Sequence, residues 1–360
     1  MKLVTYLLDG RELVGVLTPD AAMVCPLNAF GYACTDMVEA IGLLSREEVR
    51  KLSARLAAGE APEAVSLGSV KLLAPIPRPR QDVVCLGVNY AAHALECGSI
   101  GDFSAPRETQ PAIYFAKRVN RAVDPDEPVD SHPGLVEELD YEAELAVILG
   151  KDALNVAKDD CEQYIFGYTI LNDISARVLQ RRHKQWYRGK SLDNFTPMGP
   201  WIVTADEVAF PPVLSIGCKV NGQVRQDSKT DCLIHGVAEV ISELSQGMTL
   251  QAGTIIATGT PSGVAMGMEQ PVYLKPGDVV FFKNTYKSGL SHVGIYVGNH
   301  QILHASSSRG IALNDLRSDY YTRYYLCARR IVCTDPTPVL EESNDPLFLR
   351  QSGLGLRSIP

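Results

Sequence analysis

Residues 139–149 read Leu-Asp-Tyr-Glu-Ala-Glu-Leu-Ala-Val-Ile-Leu, and no other stretch limits the fold so tightly. The run from Leu145 to Leu149 is apolar throughout and has the length of a strand carried into a core. Alternate side chains of a strand share a face, so Glu142 and Glu144 point the same way. Two carboxylates held side by side repel unless solvent or a cation screens them. A solvated strand face accounts for the pair taken alone, but the buried continuation favours a cation.

The rest of the chain supplies neighbours for such a strand. Val83 to Leu86, Ile113 to Ala116 and Ile165 to Leu171 are further short apolar runs flanked by turn residues. Val220-Asn221-Gly222-Gln223 predicts a hairpin, because Asn-Gly tolerates positive φ twice. Ile234, Val237, Ala238, Ile241 and Leu244 fall at helical spacing between Asp231 and Ser245. The pattern is β-rich α+β, without the regular βα alternation of a Rossmann sheet.

Residues 1–74 read as a small N-terminal module. A hairpin is expected from Leu3–Leu8 and Leu13–Leu17 across Asp9-Gly10, then a helix over Ser45–Ala58. The Pro-rich segment 75–80 is a stiff connector that cannot pair in a central strand. The main domain runs from 75 to 280. Residues 281–330 change character, becoming rich in Tyr, Ser and His, with a hairpin expected from His292–Val297 and Gln301–Ala305. Residues 331–360 are polar, Pro/Ser-rich and expected to be loosely ordered.

A net charge of −8 over 360 residues argues against nucleic acid as a partner. The opening apolar run is too short for a signal peptide or a membrane span, so no membrane partner is expected. Nine scattered cysteines without a CxxC pair read as reduced thiols of a cytoplasmic protein, not as a zinc site.

Asp173, in Ile170-Leu171-Asn172-Asp173-Ile174-Ser175-Ala176-Arg177, follows an apolar strand and precedes a helix. It is either a helix N-cap or a third oxygen ligand beside Glu142 and Glu144. Three carboxylates leave half of an octahedral shell for water and substrate, which suits Mg²⁺ or Mn²⁺.

Seven strings occur in the order found in the fumarylacetoacetate hydrolase family, and the chain resembles that family over roughly 82–280. They are Gly87-Val88-Asn89-Tyr90, Tyr114-Phe115-Ala116-Lys117, the Glu-x-Glu run, Asn172 to Arg177, Gly189-Lys190-Ser191, Met198-Gly199-Pro200-Trp201 and Ala257 to Gly263. The resemblance implies a rolled β-sheet core, usually homodimeric, that binds a divalent metal and a small 2-oxo acid. It implies C–C hydrolysis of acylpyruvates, or decarboxylation or isomerisation of 2-oxo-diacids. By position, Glu142, Glu144 and Asp173 resemble the metal ligands. His93 and Glu96 resemble a dyad on a lid helix, with the carboxylate orienting the imidazole. Lys190 resembles the lysine facing the substrate enolate. Lys117 and Gln180 resemble polar pocket residues, and Thr258-Gly259-Thr260 a loop offering hydroxyl and N–H groups to the substrate carboxylate.

After Val280 the resemblance lapses. Ser291-His292-Val293-Gly294, His304-Ala305-Ser306 and Cys327-Ala328-Arg329-Arg330 resemble the C-terminal half of NlpC-like peptidoglycan peptidases instead. In that reading His292 is the base, His304 its orienting partner, and Cys232 the nearest available nucleophile, lowered in pKa by a helix N-terminus. Leu233 stands where that family has Ser. The two families thus give a metal-dependent 2-oxo acid enzyme, a cysteine peptidase, or a chimera without activity.

Overall fold

The computed structural model describes residues 1–98, 110–275, 278, 280–282, 294–298, 301–306 and 310–315. The N-terminal strands are β1 (Lys2–Leu8), β2 (Arg11–Leu17), β3 (Met23–Pro26), β4 (Val65–Ser66) and β5 (Lys71–Leu72), with helices α1 (Met37–Leu43) and α2 (Arg46–Ala57). Next come β6 (Val83–Gly87), the short helix α3 (Ala91–Glu96), β7 (Ile113–Lys117), β8 (Leu139–Asp140), β9 (Ala143–Leu149), β10 (Ile165–Asn172) and β11 (Ser175–Ala176). Helices α4 (Arg177–Arg182) and α5 (Tyr187–Lys190) lead to β12 (Ile202–Thr204), β13 (Ser215–Val220) and β14 (Gln223–Lys229). Helix α6 (Val237–Ser245), β15 (Ile255–Ala257) and β16 (Val280–Phe282) follow, then β17 (Gly294–Gly298), β18 (Gln301–Ser306) and β19 (Gly310–Asp315).

Eleven of these strands form one mixed sheet in the order β4-β3-β2-β1-β12-β10-β9-β15-β6-β7, with β5 on β1. All seven residues of β9 are buried, as its apolar run predicts. Each large aliphatic side chain there contributes roughly 1.5–3 kcal/mol by leaving water. Strand β9 runs antiparallel to both β10 and β15, and β15 runs parallel to β6. The start of β9 therefore lies at the same edge as the ends of β10, β15 and β6, and the segments leaving those strands carry the candidate site.

Both expected hairpins form. Leu8 pairs with Arg11 across Asp9 and Gly10, and Val220 with Gln223 across Asn221 and Gly222, all four turn residues having positive φ. Helix α2 begins at Ser45, whose side chain accepts the Glu48 N–H. The N-terminal strands join the main sheet directly, since β1 pairs with β12, and Met1 and Leu3 share an apolar cluster with Ile148 and Ile255. In the connector, Ile76 is buried, and Pro75 and Pro77 offer their carbonyls to Thr5 and Ala122.

The helix expected from Asp231 starts only at Val237. Ile234 N–H bonds the Asn89 carbonyl and His235 N–H bonds Asn89 Oδ1, so these residues brace the root of α3 instead. Cys232 closes a three-residue 3₁₀ turn and is exposed, so it does not stand at the N-terminus of α6 as the peptidase reading requires.

Strand β16 pairs with β13, Val280 opposite Val220 and Phe282 opposite Cys218, while β17, β18 and β19 form a separate antiparallel sheet. Its first two strands match the hairpin expected around Gly298-Asn299. His292 and residues 331–360 lie outside the described residues. Truncation after Val280 removes most of the strand covering β13 and should yield insoluble or metal-free protein. His292→Ala should leave 2-oxo acid turnover intact. A soluble, fully active truncation, read by size exclusion and assay, would contradict the structural role.

Candidate active site

Glu142, Glu144 and Asp173 converge where the strand edges predict, one oxygen of each lying within 4.8 Å of the others. All three are buried. Asp173 caps no helix: α4 starts four residues later, with Ala176 as its N-cap. Instead Asp173 Oδ1 accepts Lys117 Nζ at 2.7 Å and Oδ2 accepts Lys190 Nζ at 2.7 Å. Lys190 Nζ also donates to Glu142 Oε2 at 2.6 Å. Arg177 reaches Glu142 Oε1 at 2.7 Å through one guanidinium nitrogen and Asp140 Oδ2 at 2.8 Å through Nε.

This network buries four carboxylates, counting Asp140, among three cations. Stripping water from so many charges is costly unless each finds a partner. Glu142 finds two. Burial alone would raise its pKa, but Lys190 and Arg177 outweigh that and hold it well below the usual carboxylate range. Burial likewise opposes the charge of Lys190, but Asp173 and Glu142 hold its pKa above the usual value. Burial lowers Lys117, only partly opposed by Asp173.

Glu144 is different. It accepts the Gly259 N–H at 2.9 Å and has no cationic side chain as partner among the described residues. Burial, then the charges of Asp173 and Glu142, push its pKa well above the carboxylate range. Three hard oxygen donors, one lacking a counter-cation, fit a divalent ion of the Mg²⁺ or Mn²⁺ type.

His93 and Glu96 share one side of α3 through their i, i+3 spacing, with His93 Nδ1 2.9 Å from Glu96 Oε1. A carboxylate only accepts, so Nδ1 carries the proton. Burial opposes charge on His93, but hydrogen bonds to Cys97 and Glu96 and the field of Glu142 prevail, pushing its pKa up to about 9.

The cavity above the carboxylates is lined by His93, Glu142, Glu144, Arg177, Gln180, Lys190 and Thr260 on its polar side, and by Leu86, Val88, Phe115, Trp186 and Met266 on its apolar side. Asp173, its partner Lys117, Thr258 and Gly259 stand outside that lining. The Thr258 and Thr260 hydroxyls donate to the carbonyls of Leu145 and Ala143, and Gly259 N–H is taken by Glu144, so the loop is stitched to β9. Gln180 Oε1 accepts from Arg177.

Three participants escaped sequence reasoning. Arg177 and Asp140 stood inside quoted strings, but their pairing spans 37 residues. Trp186 is marked only indirectly, by Gly87: a Cβ there would lie 2.2 Å from the Trp186 ring. Phe115 meets the same ring edge-on at 5.4 Å between centroids.

A cavity lined by buried carboxylates and cations at the mouth of a mixed sheet has the make-up of an enzyme's site. The family model described as fumarylacetoacetate (FAA) hydrolase C-terminal matches residues 82–289, and the chain belongs to the fumarylacetoacetate hydrolase family. It is 45% identical over 215 residues to the oxaloacetate tautomerase YisK of Bacillus subtilis (strain 168), covering 60% of this chain and 70% of that protein. It is 34% identical over 274 residues to the mitochondrial oxaloacetate tautomerase fahd2 of Xenopus laevis, covering 76% and 79%. Among solved structures, a maleylpyruvate hydrolase from Sphingobium sp. SYK-6, in complex with manganese(II) and pyruvate, aligns with TM-score 0.60 at 30% identity, covering 79% of this chain and 95% of that one. These relatives lend no support to the peptidase resemblance of residues 281–330. No helix among the described residues is long and apolar enough to cross a membrane.

Proposed function

We propose that this chain is a divalent-metal enzyme that enolises a small 2-oxo-diacid of oxaloacetate size, working as a homodimer in the cytoplasm. The observation that carries the reading is the buried cluster of Glu142, Glu144 and Asp173, in which Glu144 lacks a cationic partner. The names of the two tautomerase relatives support oxaloacetate as the substrate. The manganese and pyruvate of the maleylpyruvate hydrolase support a metal and a 2-oxo acid in such a site.

Glu142, Glu144 and Asp173 would hold the ion, which when bound supplies a Lewis acid that favours the enolate over the ketone. Lys190, on the cavity wall, places positive charge where the enolate oxygen develops. Arg177 and Asp140 keep the Glu142 carboxylate in a fixed orientation. Gln180 and Thr260 flank the substrate's polar end, Lys117 holds Asp173 through its Oδ1, and Thr258 and Gly259 shape the loop around Thr260. His93 moves a proton at the substrate carbon, its ring set by Glu96 through Nδ1. Trp186, Phe115 and Met266 keep water from the reacting face. C–C hydrolysis would use the same groups, with His93 taking a proton from the water that adds to the carbonyl and returning it to the carbon released as the enolate.

The test is an assay of keto–enol exchange of oxaloacetate, with and without a chelator. Chelation should stop turnover and Mn²⁺ should restore it. Activity untouched by chelator but lost on thiol alkylation would sink the reading.

A second expectation concerns protonation. His93 has a folded pKa raised to about 9 from the ordinary 6.5, so its charged form stabilises the fold fully below pH 6.5. That contribution is lost as pH rises through 9. Glu96→Gln removes one of the raising groups, so the ring should titrate at lower pH in the metal-free variant. An imidazole resonance that titrates at the wild-type pH would show that Glu96 does not act on His93.

A further inference from the structure

We propose that the loop from Gly263 to Gly267 is the catch that seats helix α3 and thereby positions His93, with Gly267 present to make room for the Glu96 carboxylate. The proposal rests on the reading of His93 and Glu96 as a working pair.

Glu96 is held from two sides. Its Oε1 receives His93 Nδ1–H at 2.9 Å, and the Gly263 N–H reaches Oε2 at 2.9 Å and Oε1 at 3.1 Å. The helix itself is only six residues long and has no side-chain cap, so little within it fixes its position. A charge-assisted bond to a backbone N–H from a distant loop is a strong local anchor.

The loop is shaped to receive that carboxylate. A Cβ on Gly267 would lie 2.5 Å from Glu96 Cδ, 2.8 Å from Cγ and 2.9 Å from Oε1. Gly267 does not have positive φ, so its backbone tolerates alanine, and the space is what is required there. Gly263 is constrained twice over: its φ is +103°, and a Cβ would lie 1.8 Å from the Arg225 carbonyl oxygen.

The loop is also tied by hydrogen bonds to the chain that leads into the carboxylate cluster. Tyr141 donates its hydroxyl to the Gly263 carbonyl at 2.8 Å. Asp140 accepts the N–H groups of Ala265 at 2.8 Å and Met266 at 3.1 Å. Gln226 donates to the Pro261 carbonyl at 2.8 Å. Asp140 and Tyr141 immediately precede Glu142. The imidazole is thus referenced to the carboxylates through one short path: strand, loop, Glu96, His93.

The experiment is a double-mutant cycle on the full-length protein, with Gly267→Ala, Glu96→Asp and the pair together, and Glu96→Ala as reference. Gly267→Ala should lower kcat for oxaloacetate by about tenfold to a hundredfold, as a small misplacement of a reacting group does. It should leave Mn²⁺ affinity in calorimetry unchanged, and hydrogen exchange at the Gly263 amide should quicken. Aspartate is one methylene shorter and relieves the overlap, so adding Gly267→Ala to Glu96→Asp should cost little more. Additive losses, or wild-type turnover and wild-type Gly263 exchange in Gly267→Ala, would overturn the catch. Should Glu96→Ala keep full turnover, the His93–Glu96 reading fails. Gly263 exchange in Gly267→Ala and Glu96→Ala then decides the catch by itself: quickening supports it, and no change refutes it.

Discussion

Glu144→Ala should abolish stoichiometric Mn²⁺ binding in calorimetry and lower turnover by about a thousandfold or more, since Lewis-acid stabilisation of several kcal/mol is lost with the ion. Glu144 is the ligand to test because its partners predict two opposite effects. With metal present it should be indispensable. Without metal it is a liability, for burial and the charges of Asp173 and Glu142 raise its pKa well above the carboxylate range. A carboxyl raised in the folded state contributes stability below its unfolded pKa, and loses it as pH rises through the folded value. In chelator at neutral pH, Glu144→Gln should therefore melt no lower than the wild type, the amide oxygen still accepting the Gly259 N–H. Retention of full Mn²⁺ stoichiometry by Glu144→Ala would remove this residue from the ligand set.

The second large effect is expected at His93 and Glu96. If the 2.9 Å contact makes them one unit, His93→Ala and Glu96→Ala should each cost on the order of a hundredfold in kcat, the usual scale of acid–base catalysis. The double variant should cost little more than either alone. Losses that multiply would mean that the two side chains act independently. Mn²⁺ affinity should change little in either variant, because neither residue belongs to the carboxylate cluster.

The parts of this site that sequence displays are those with local periodicity. Glu142 and Glu144 are legible because a strand repeats every two residues, whereas His93 and Glu96 stand out only through the family resemblance, their i, i+3 spacing merely allowing the pairing. Asp173 is visible as an acid between a strand and a helix, though spacing alone left it between cap and ligand. The two Gly-containing hairpin turns announce themselves through positive φ. What does not show is pairing across distance: nothing near Asp140 marks Arg177 as its partner, and nothing near Glu96 marks Gly263 as its donor. The late start of α6 had the same origin, since Ile234 and His235 spend their N–H groups on Asn89, 145 residues away or more. Lys117 is fully buried and donates to Asp173 across 56 residues of sequence, another pairing that no one-dimensional pattern encodes.

The charge balance explains how such a cluster can exist at all. Lys190 and Arg177 satisfy Glu142, and Lys117 and Lys190 satisfy Asp173, so the protein holds most of its carboxylates in place before any ion arrives. Such a network orients the oxygens with little reorganisation when the ion binds. It also leaves Glu144, beside the loop Thr258-Gly259-Thr260, as the carboxyl of the cluster that no cationic side chain holds in an ion pair.

The most direct measurement is an electron-density map of the full-length protein with Mn²⁺ and oxalate, a mimic of the pyruvate enolate. The account predicts one ion bound by Glu142, Glu144 and Asp173, with oxalate on its open side facing Lys190 and His93. An ion held elsewhere, or a carboxylate cluster without metal density beside oxalate, would contradict it.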